Sequence, residues 1–303
     1  MQRQTVSDNA PLDNVIKYLP ERIARAVAFA PEELLSRAQE IRLRRGGPLS
    51  VTSGAESYTL DCNGRISPLR TALMCSRQDI DECVARLCNG SYHSQQDNIS
   101  KGFISAGGGI RAGVCGEADS VERLSVSTVT SVSLRISRYI FGAGQPVVNY
   151  IKQNGPAGLL LFSRPGAGKT TMLRDAAAAL SAGRGLDGAL RVSVVDERRE
   201  LYVQGMDGGL LDVLFGYPKA QGIEIAARTL NAQIVVCDEI SAGESEAICD
   251  AQNCGVPLIA SAHASSGEEL VRRPWIKRLL QSGIFSACYD ISGGTWHRAE
   301  ELL

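Results

Sequence analysis

The chain has 303 residues, 44% of them apolar and 21% charged, with a net charge of −1. That length supports two globular domains, and neither half carries the excess of one sign that a nucleic-acid partner would call for. The longest apolar runs are about six residues against the roughly 20 of a membrane helix, so no direct membrane insertion is expected and attachment would pass through partners. Nine cysteines, an odd number without a Cys-x-x-Cys pair, and only three histidines read as the reduced thiols of a cytoplasmic protein. Neither Cys83 with Cys88 nor Cys249 with Cys254 has the spacing of a zinc site.

Met1 to Asn9 is polar and lacks the basic start and apolar core of a signal peptide. Val15, Ile16, Ile23, Ala24 and Val27 then fall at helical spacing, and Glu32 to Ala38 continues the pattern. Alternation takes over through Ile41, Leu43, Leu49, Val51 and Tyr58-Thr59-Leu60, which predicts strands. Ser76 with Asp79 is a capping-box signature for a helix reaching Leu87, and Asn89-Gly90 closes it. From Gly102 to Ile140 the pattern is again β-like, broken at Gly107-Gly108-Gly109, with Val126, Val129, Val132, Leu134 and Ile136 marking its last part. Residues 1–141 are thus expected to form a smaller α+β domain, with Gly142 to Pro156 a passage into a second domain, 142–303.

The second domain opens with the apolar run Gly158 to Phe162, followed by Ser163-Arg164-Pro165-Gly166-Ala167-Gly168-Lys169-Thr170-Thr171 and a helix-favouring stretch from Met172 to Leu180. Strand, glycine-rich turn and helix is the context of a P-loop, or Walker A motif. Glycines let successive N–H groups converge on phosphate oxygens, and the helix adds the positive end of its dipole. The pattern assigns Lys169 to the β- and γ-phosphates of ATP and the Thr170 hydroxyl to Mg²⁺. Ser163 stands where a glycine is usual, at the position farthest from the phosphates.

Hydrolysis needs in addition an acid for the metal and a group for the water. Ile234-Val235-Val236-Cys237 reads as a strand buried on both faces, and it delivers Asp238 and Glu239 at its carboxyl end. Asp238 is the expected metal ligand, and Glu239 the residue that polarises water. Two further strands end in polar chemistry, Arg191 to Val195 at Asp196-Glu197-Arg198-Arg199-Glu200, and Val256 to Ala260 at Ser261-Ala262-His263. Carboxyl ends of parallel strands share one sheet edge, so Asp196, Glu197, Asp238, Glu239 and His263 should face the phosphate site together. Glu197 and His263 therefore join Lys169 and Glu239 as candidate catalytic residues, with a solvated loop as the plain alternative for 196–200. Later, Gln221 to Leu230 and Glu244 to Gln252 have helical patterns, and Ser265 with Glu268 is read as the cap of a last helix that Pro274 interrupts. Alternating strands and helices give an α/β, RecA-like core with a mostly parallel sheet.

The order of P-loop, acidic box, Asp-Glu strand end and His box resembles the secretion ATPases of type II and type IV systems. The flanks resemble the stage III sporulation protein AA family within it: Val194-Val195-Asp196-Glu197-Arg198, Tyr217-Pro218-Lys219-Ala220-Gln221-Gly222, Cys237-Asp238-Glu239-Ile240 and Ala260-Ser261-Ala262-His263. Further runs lie at Glu40-Ile41-Arg42-Leu43-Arg44, at Lys101-Gly102-Phe103-Ile104 and from Gly109 to Gly116, so the likeness extends from about residue 15 to about 295. Ser241-Ala242-Gly243 departs from the family, where a glycine directly after the Ile is common. The resemblance implies an ATPase on the mother-cell side of a sporulating bacterium, cytoplasmic and peripheral to the membrane. It implies a homo-hexamer acting on a membrane-embedded channel or a secretion-type platform protein. Two rivals share the motifs, a P-loop small-molecule kinase with Arg272, Arg273, Lys277 and Arg278 as its lid, and a nucleotide-controlled scaffold that does not hydrolyse. For a ring, an arginine finger from a neighbouring subunit would come from Arg111, Arg135 or Arg138.

Overall fold

The computed structural model describes residues 10–106, 110–118, 126–252 and 255–303. Met1 to Asn9, Gly107 to Gly109 and Cys254, all read above, lie outside these residues. The chain separates into two units, one ending at Arg138 and one beginning at Tyr139.

The first unit starts with three short helices, α1 (Ala10–Ile16), α2 (Glu21–Ala28) and α3 (Glu32–Arg37). Pro20 and Pro31 immediately precede the last two, where a fixed φ and a missing N–H are tolerated. The strands β1 (Glu40–Arg44), β2 (Ser50–Ser53) and β3 (Glu56–Thr59) follow, then α4 (Arg77–Leu87), α5 (Gln96–Ser100), β4 (Phe103–Ala106), β5 (Ile110–Ala118) and β6 (Val126–Arg135). They build one antiparallel sheet in the order β3-β2-β1-β6-β5-β4. Ile41 and Leu43 of β1 point to a core shared with Ile23 and Val27 of α2 and Leu134 of β6, as period-two alternation requires. The capping box of α4 is formed: the Asp79 N–H donates to Ser76 Oγ, and the Asp79 carboxylate accepts from the Ser76 N–H. Asp79 also pairs with Arg22, and that contact and the Ser76 bonds hold its carboxyl below the ordinary range against the opposing effect of burial, the largest single influence on it.

In the second unit the segment read as a passage contains a helix, α6 (Gln145–Asn154), with Val147, Val148 and Ile151 buried. Its Gly and Pro flanks imitate a linker; in the fold Pro146 lies in the first turn of the helix and Gly155, at φ +77°, ends it. Then come β7 (Leu159–Ser163), α7 (Lys169–Ser181), β8 (Val192–Asp196), β9 (Leu211–Phe215), α8 (Lys219–Arg228), β10 (Ile234–Cys237), α9 (Ser245–Gln252), β11 (Leu258–His263), α10 (Gly267–Val271), α11 (Pro274–Gln281), β12 (Ala287–Asp290) and β13 (Thr295–Arg298). The sheet order is β13-β12-β7-β11-β10-β8-β9, parallel throughout except for β13 against β12. Alternate residues of the central strands feed two cores. One lies under α6 and α7, the other under α8, α9, α10 and α11. The last cap is shifted by one residue from its expected place: Ser266 Oγ accepts from the Glu269 N–H, while the Glu269 carboxylate takes the Ser265 N–H, and Pro274 begins the separate helix α11.

Candidate functional site

β7, β11, β10 and β8 are adjacent, so their carboxyl ends meet on one edge, and the register decides which side chains touch. Ser163 is paired directly with His263, and Cys237 with Val195, which sets Asp238 beside the β8 end and His263 beside the start of α7. Between β7 and α7 the loop turns through Gly166 at φ +80° and Gly168 at φ +97°, a conformation that only glycine adopts without strain. Arg164, Pro165, Gly166 and Ala167 are exposed, Gly168, Thr170 and Thr171 half-buried, and Ser163 and Lys169 buried. The loop therefore opens outward at the start of a helix of 13 residues.

Lys169 Nζ lies 3.0 Å from the Ser163 carbonyl oxygen, 3.1 Å from that of Arg164 and 2.8 Å from His263 Nδ1. Its hydrogen-bond partners carry no full negative charge, and burial lowers its pKa against the opposing pull of Asp238 and Glu239. A cation so placed suits an incoming polyanion. On the other ring nitrogen, His263 Nε2 is 3.0 Å from Glu239 Oε1, so one imidazole joins the lysine to the glutamate. The Thr170 hydroxyl donates to Asp238 Oδ2 at 2.7 Å. Among the described residues no three His, Cys, Asp or Glu side chains gather as a metal cage. This hydroxyl–carboxylate pair fits a hard cation such as Mg²⁺ that completes its shell with phosphate and water.

Glu239 is held by its own backbone. Its φ is +22°, unusual for a residue with a side chain. Such a conformation costs on the order of 1–3 kcal/mol and persists only where neighbours enforce it. Its N–H donates to Asp238 Oδ1 at 2.9 Å and to Ser261 Oγ at 3.0 Å, its carbonyl oxygen accepts from Lys219 Nζ, and Ser261 Oγ also donates to Asp238 Oδ1 at 2.7 Å. Sequence reasoning missed Ser261 and Lys219 as site residues, although both lie in runs that carry the family likeness. Nothing in a lone Ser or Lys announces a bond to a particular carbonyl or amide.

The expectation for the β8 end needs correction. The Asp196 carboxylate is turned into its own loop, accepting from the backbone N–H groups of Glu200, Leu201 and Tyr202 at 2.7, 3.1 and 2.9 Å. The carbonyls of Glu200 and Leu201 accept from Arg174, a buried residue of α7. A carboxylate with three amides to satisfy caps its turn, although Asp196 still borders the cleft that Glu197 lines. Glu197 is exposed, on a small cleft that Lys219, Asp238 and Glu239 also line. Farther along α7, the Asp175 carboxylate accepts from Tyr139 Oη at 2.6 Å, from the Gly144 N–H at 2.7 Å and from Arg184 at 3.0 Å.

Ser163 also does more than support the turn, since Lys169 Nζ lies 3.3 Å from its hydroxyl. The contact is long, and the same Nζ keeps the Ser163 carbonyl, so Ser163→Gly should change ATP affinity by no more than about 1 kcal/mol. A dissociation constant altered tenfold or more in a titration would assign the hydroxyl a direct part in binding.

A strand leading into the glycine-rich loop, separated from the Asp-Glu strand by the strand that ends at His263, in a parallel sheet covered on both faces, gives a RecA-like fold. Two solved structures share it: the Legionella pneumophila ATPase DotB, with TM-score 0.56 and 15% identity over 83% of this chain and 71% of that one, and the pilus retraction motor PilT with bound ADP, with TM-score 0.55 and 15% identity over 85% and 75%. The chain belongs to the family of sporulation stage III, protein AA, whose model matches residues 12–292. It is 29% identical over 292 residues to stage III sporulation protein AA of Bacillus subtilis (strain 168), covering 93% of this chain and 91% of that protein. Among the described residues no helix is long and apolar enough to cross a membrane.

Proposed function

We propose that this chain is an ATP-hydrolysing motor subunit, working as a ring at a membrane-embedded channel or platform protein on the mother-cell side during spore formation. The observation that carries this is the convergence, on one sheet edge, of Lys169, the Thr170–Asp238 pair and the His263–Glu239 pair. The N–H groups of residues 166–170 would surround the β- and γ-phosphates, with Lys169 exchanging its carbonyl partners for phosphate oxygens. Mg²⁺, held through Thr170 and Asp238, would neutralise charge between the phosphates. Glu239 would accept a hydrogen bond from the attacking water, and His263, released from Lys169, would donate to the γ-phosphate. Glu197 would supply further negative charge to the Mg²⁺ shell. Phosphate release from Mg–ATP, measured with and without small-molecule acceptors, tests the reading. Acceptor-independent release supports a hydrolase, release that requires an acceptor makes it a kinase, and none at all leaves a nucleotide-controlled scaffold.

A ring follows from the charge at the site, where Lys169 and Mg²⁺ are the cations with an assigned phosphate role and the transition state calls for another. Of the three arginines considered, Arg138 donates to the carbonyls of Leu35 and Ala38 at 2.6 and 2.8 Å, and Arg111 stacks 3.9 Å over Phe103. Both serve their own unit, whereas Arg135 is exposed at the end of β6. We infer that Arg135 reaches a neighbouring subunit's phosphates in a homo-hexamer. An Arg135→Ala variant mixed with a Glu239→Gln variant, each inactive alone, should regain part of the activity. Full wild-type activity in a sample that sedimentation shows to be monomeric would sink the idea.

A further inference from the structure

We propose that Lys219 is a positioning residue for Glu239, acting through the peptide backbone: its ammonium fixes the Glu239 carbonyl oxygen and thereby aims the carboxylate at the reaction. This rests on the hydrolase reading and identifies what controls the geometry of its water-orienting residue.

Lys219 is the first residue of α8, follows Pro218, and is only 8% exposed. A lysine this deep needs a partner that justifies its burial. Five carboxylates border the cleft it lines, those of Asp196, Glu197, Glu200, Asp238 and Glu239, yet the hydrogen bond it makes is to the main-chain oxygen of Glu239. The surrounding charges make the site hospitable to an ammonium, while the single directed bond falls on the peptide. That choice matters because of what Glu239 does with its backbone. At φ +22° the residue leaves the extended path of β10, and only a fixed peptide on each side keeps it there. The N–H side is fixed by Asp238 and Ser261, both from the sheet edge. On the carbonyl side the Ile240 N–H donates to the Ser261 carbonyl oxygen at 2.9 Å, and the Glu239 oxygen itself is held by Lys219, from a different element. With both peptides held, the side chain projects to His263 Nε2 at 3.0 Å, on the same side as Lys169. α8 lies close against the sheet here, since a Cβ at Gly222 would come within 2.4 Å of Val195 Cγ1.

The test compares the full-length wild type with Lys219→Met, which keeps the buried stem without the charge, and Lys219→Arg, which restores a cation. At saturating ATP, Lys219→Met should lower single-turnover hydrolysis at least tenfold while the ATP dissociation constant stays within about threefold, and Lys219→Arg should recover part of the rate. In a Glu239→Gln background Lys219→Met should add no further loss, because it acts through the residue already changed. On the same samples, amide exchange in the peptide covering 238–241 should rise severalfold in Lys219→Met while β8 keeps its protection, and this readout needs no chemistry. Loss that adds in full to that of Glu239→Gln, or exchange at 238–241 equal to wild type, would overturn the assignment. A wild-type protein that never hydrolyses ATP would overturn the hydrolase reading instead, and exchange would then decide the role of Lys219 by itself. If Lys219→Met does not fold, Lys219→Gln carries the same comparison.

Discussion

Glu239→Gln should lower the rate of ATP hydrolysis by about 10²-fold or more and leave nucleotide affinity nearly unchanged. The substitution keeps the size of the side chain, and the amide oxygen still faces His263 Nε2, so the hydrogen bond now 3.0 Å long has a replacement acceptor. The negative charge is what disappears. A carboxylate polarises water and takes up its developing positive charge, and a neutral amide does neither. In the proposed reading the phosphates are bound by the loop and by Lys169, none of which touches the changed atom. Nucleotide affinity by titration and single-turnover phosphate release on the same preparation separate the two effects. Wild-type turnover in Glu239→Gln would move the water-orienting role to another residue, with Glu197 across the cleft the first to examine.

Lys169→Ala should fail at the earlier step. A charge-assisted hydrogen bond is worth roughly 1.5–3 kcal/mol, so losing the buried cation of the loop should weaken ATP binding about tenfold to over a hundredfold and remove turnover with it. The loop itself should survive, because Gly166 and Gly168 set its path and the Ser163 carbonyl keeps the Ala264 N–H as a donor. The measurement is a titration with a fluorescent ATP analogue, with the thermal unfolding midpoint as a control for folding. Unchanged affinity with an unchanged midpoint would mean that this loop is not where the phosphates bind.

Much of this site was legible because the pattern that marks it is also the pattern that builds it. The glycines that turn the loop, the apolar runs that bury β7 and β10, and the acids at a strand end are all one-dimensional signals. What escaped depended on the third dimension. α6 hid between Gly and Pro signals that suit both a linker and a capped helix. β9 is an edge strand only partly buried, and β12 with β13 is short, so neither shows an unbroken apolar run. Asp196 stands one residue before the candidate Glu197 and looked equivalent, yet the chain folds back at 200–202 and places three amides on its carboxylate. Lys219 precedes the candidate acid by twenty positions, and its bond to the Glu239 carbonyl exists only because α8 packs against the edge of the sheet.

The two buried acids Asp175 and Asp196 change how variation among relatives should be read. Each carboxylate answers three donors, Tyr139, Gly144 and Arg184 for one and the consecutive 200–202 backbone for the other. Replacing either would strand several buried donors together, a burden that no single compensating change relieves. Such positions resist drift as firmly as catalytic ones do. In a set of aligned relatives an unvarying acid at 175 or 196 would therefore record architecture, and the informative contrast is with Glu197, whose exposed side chain has no comparable structural reason to stay the same.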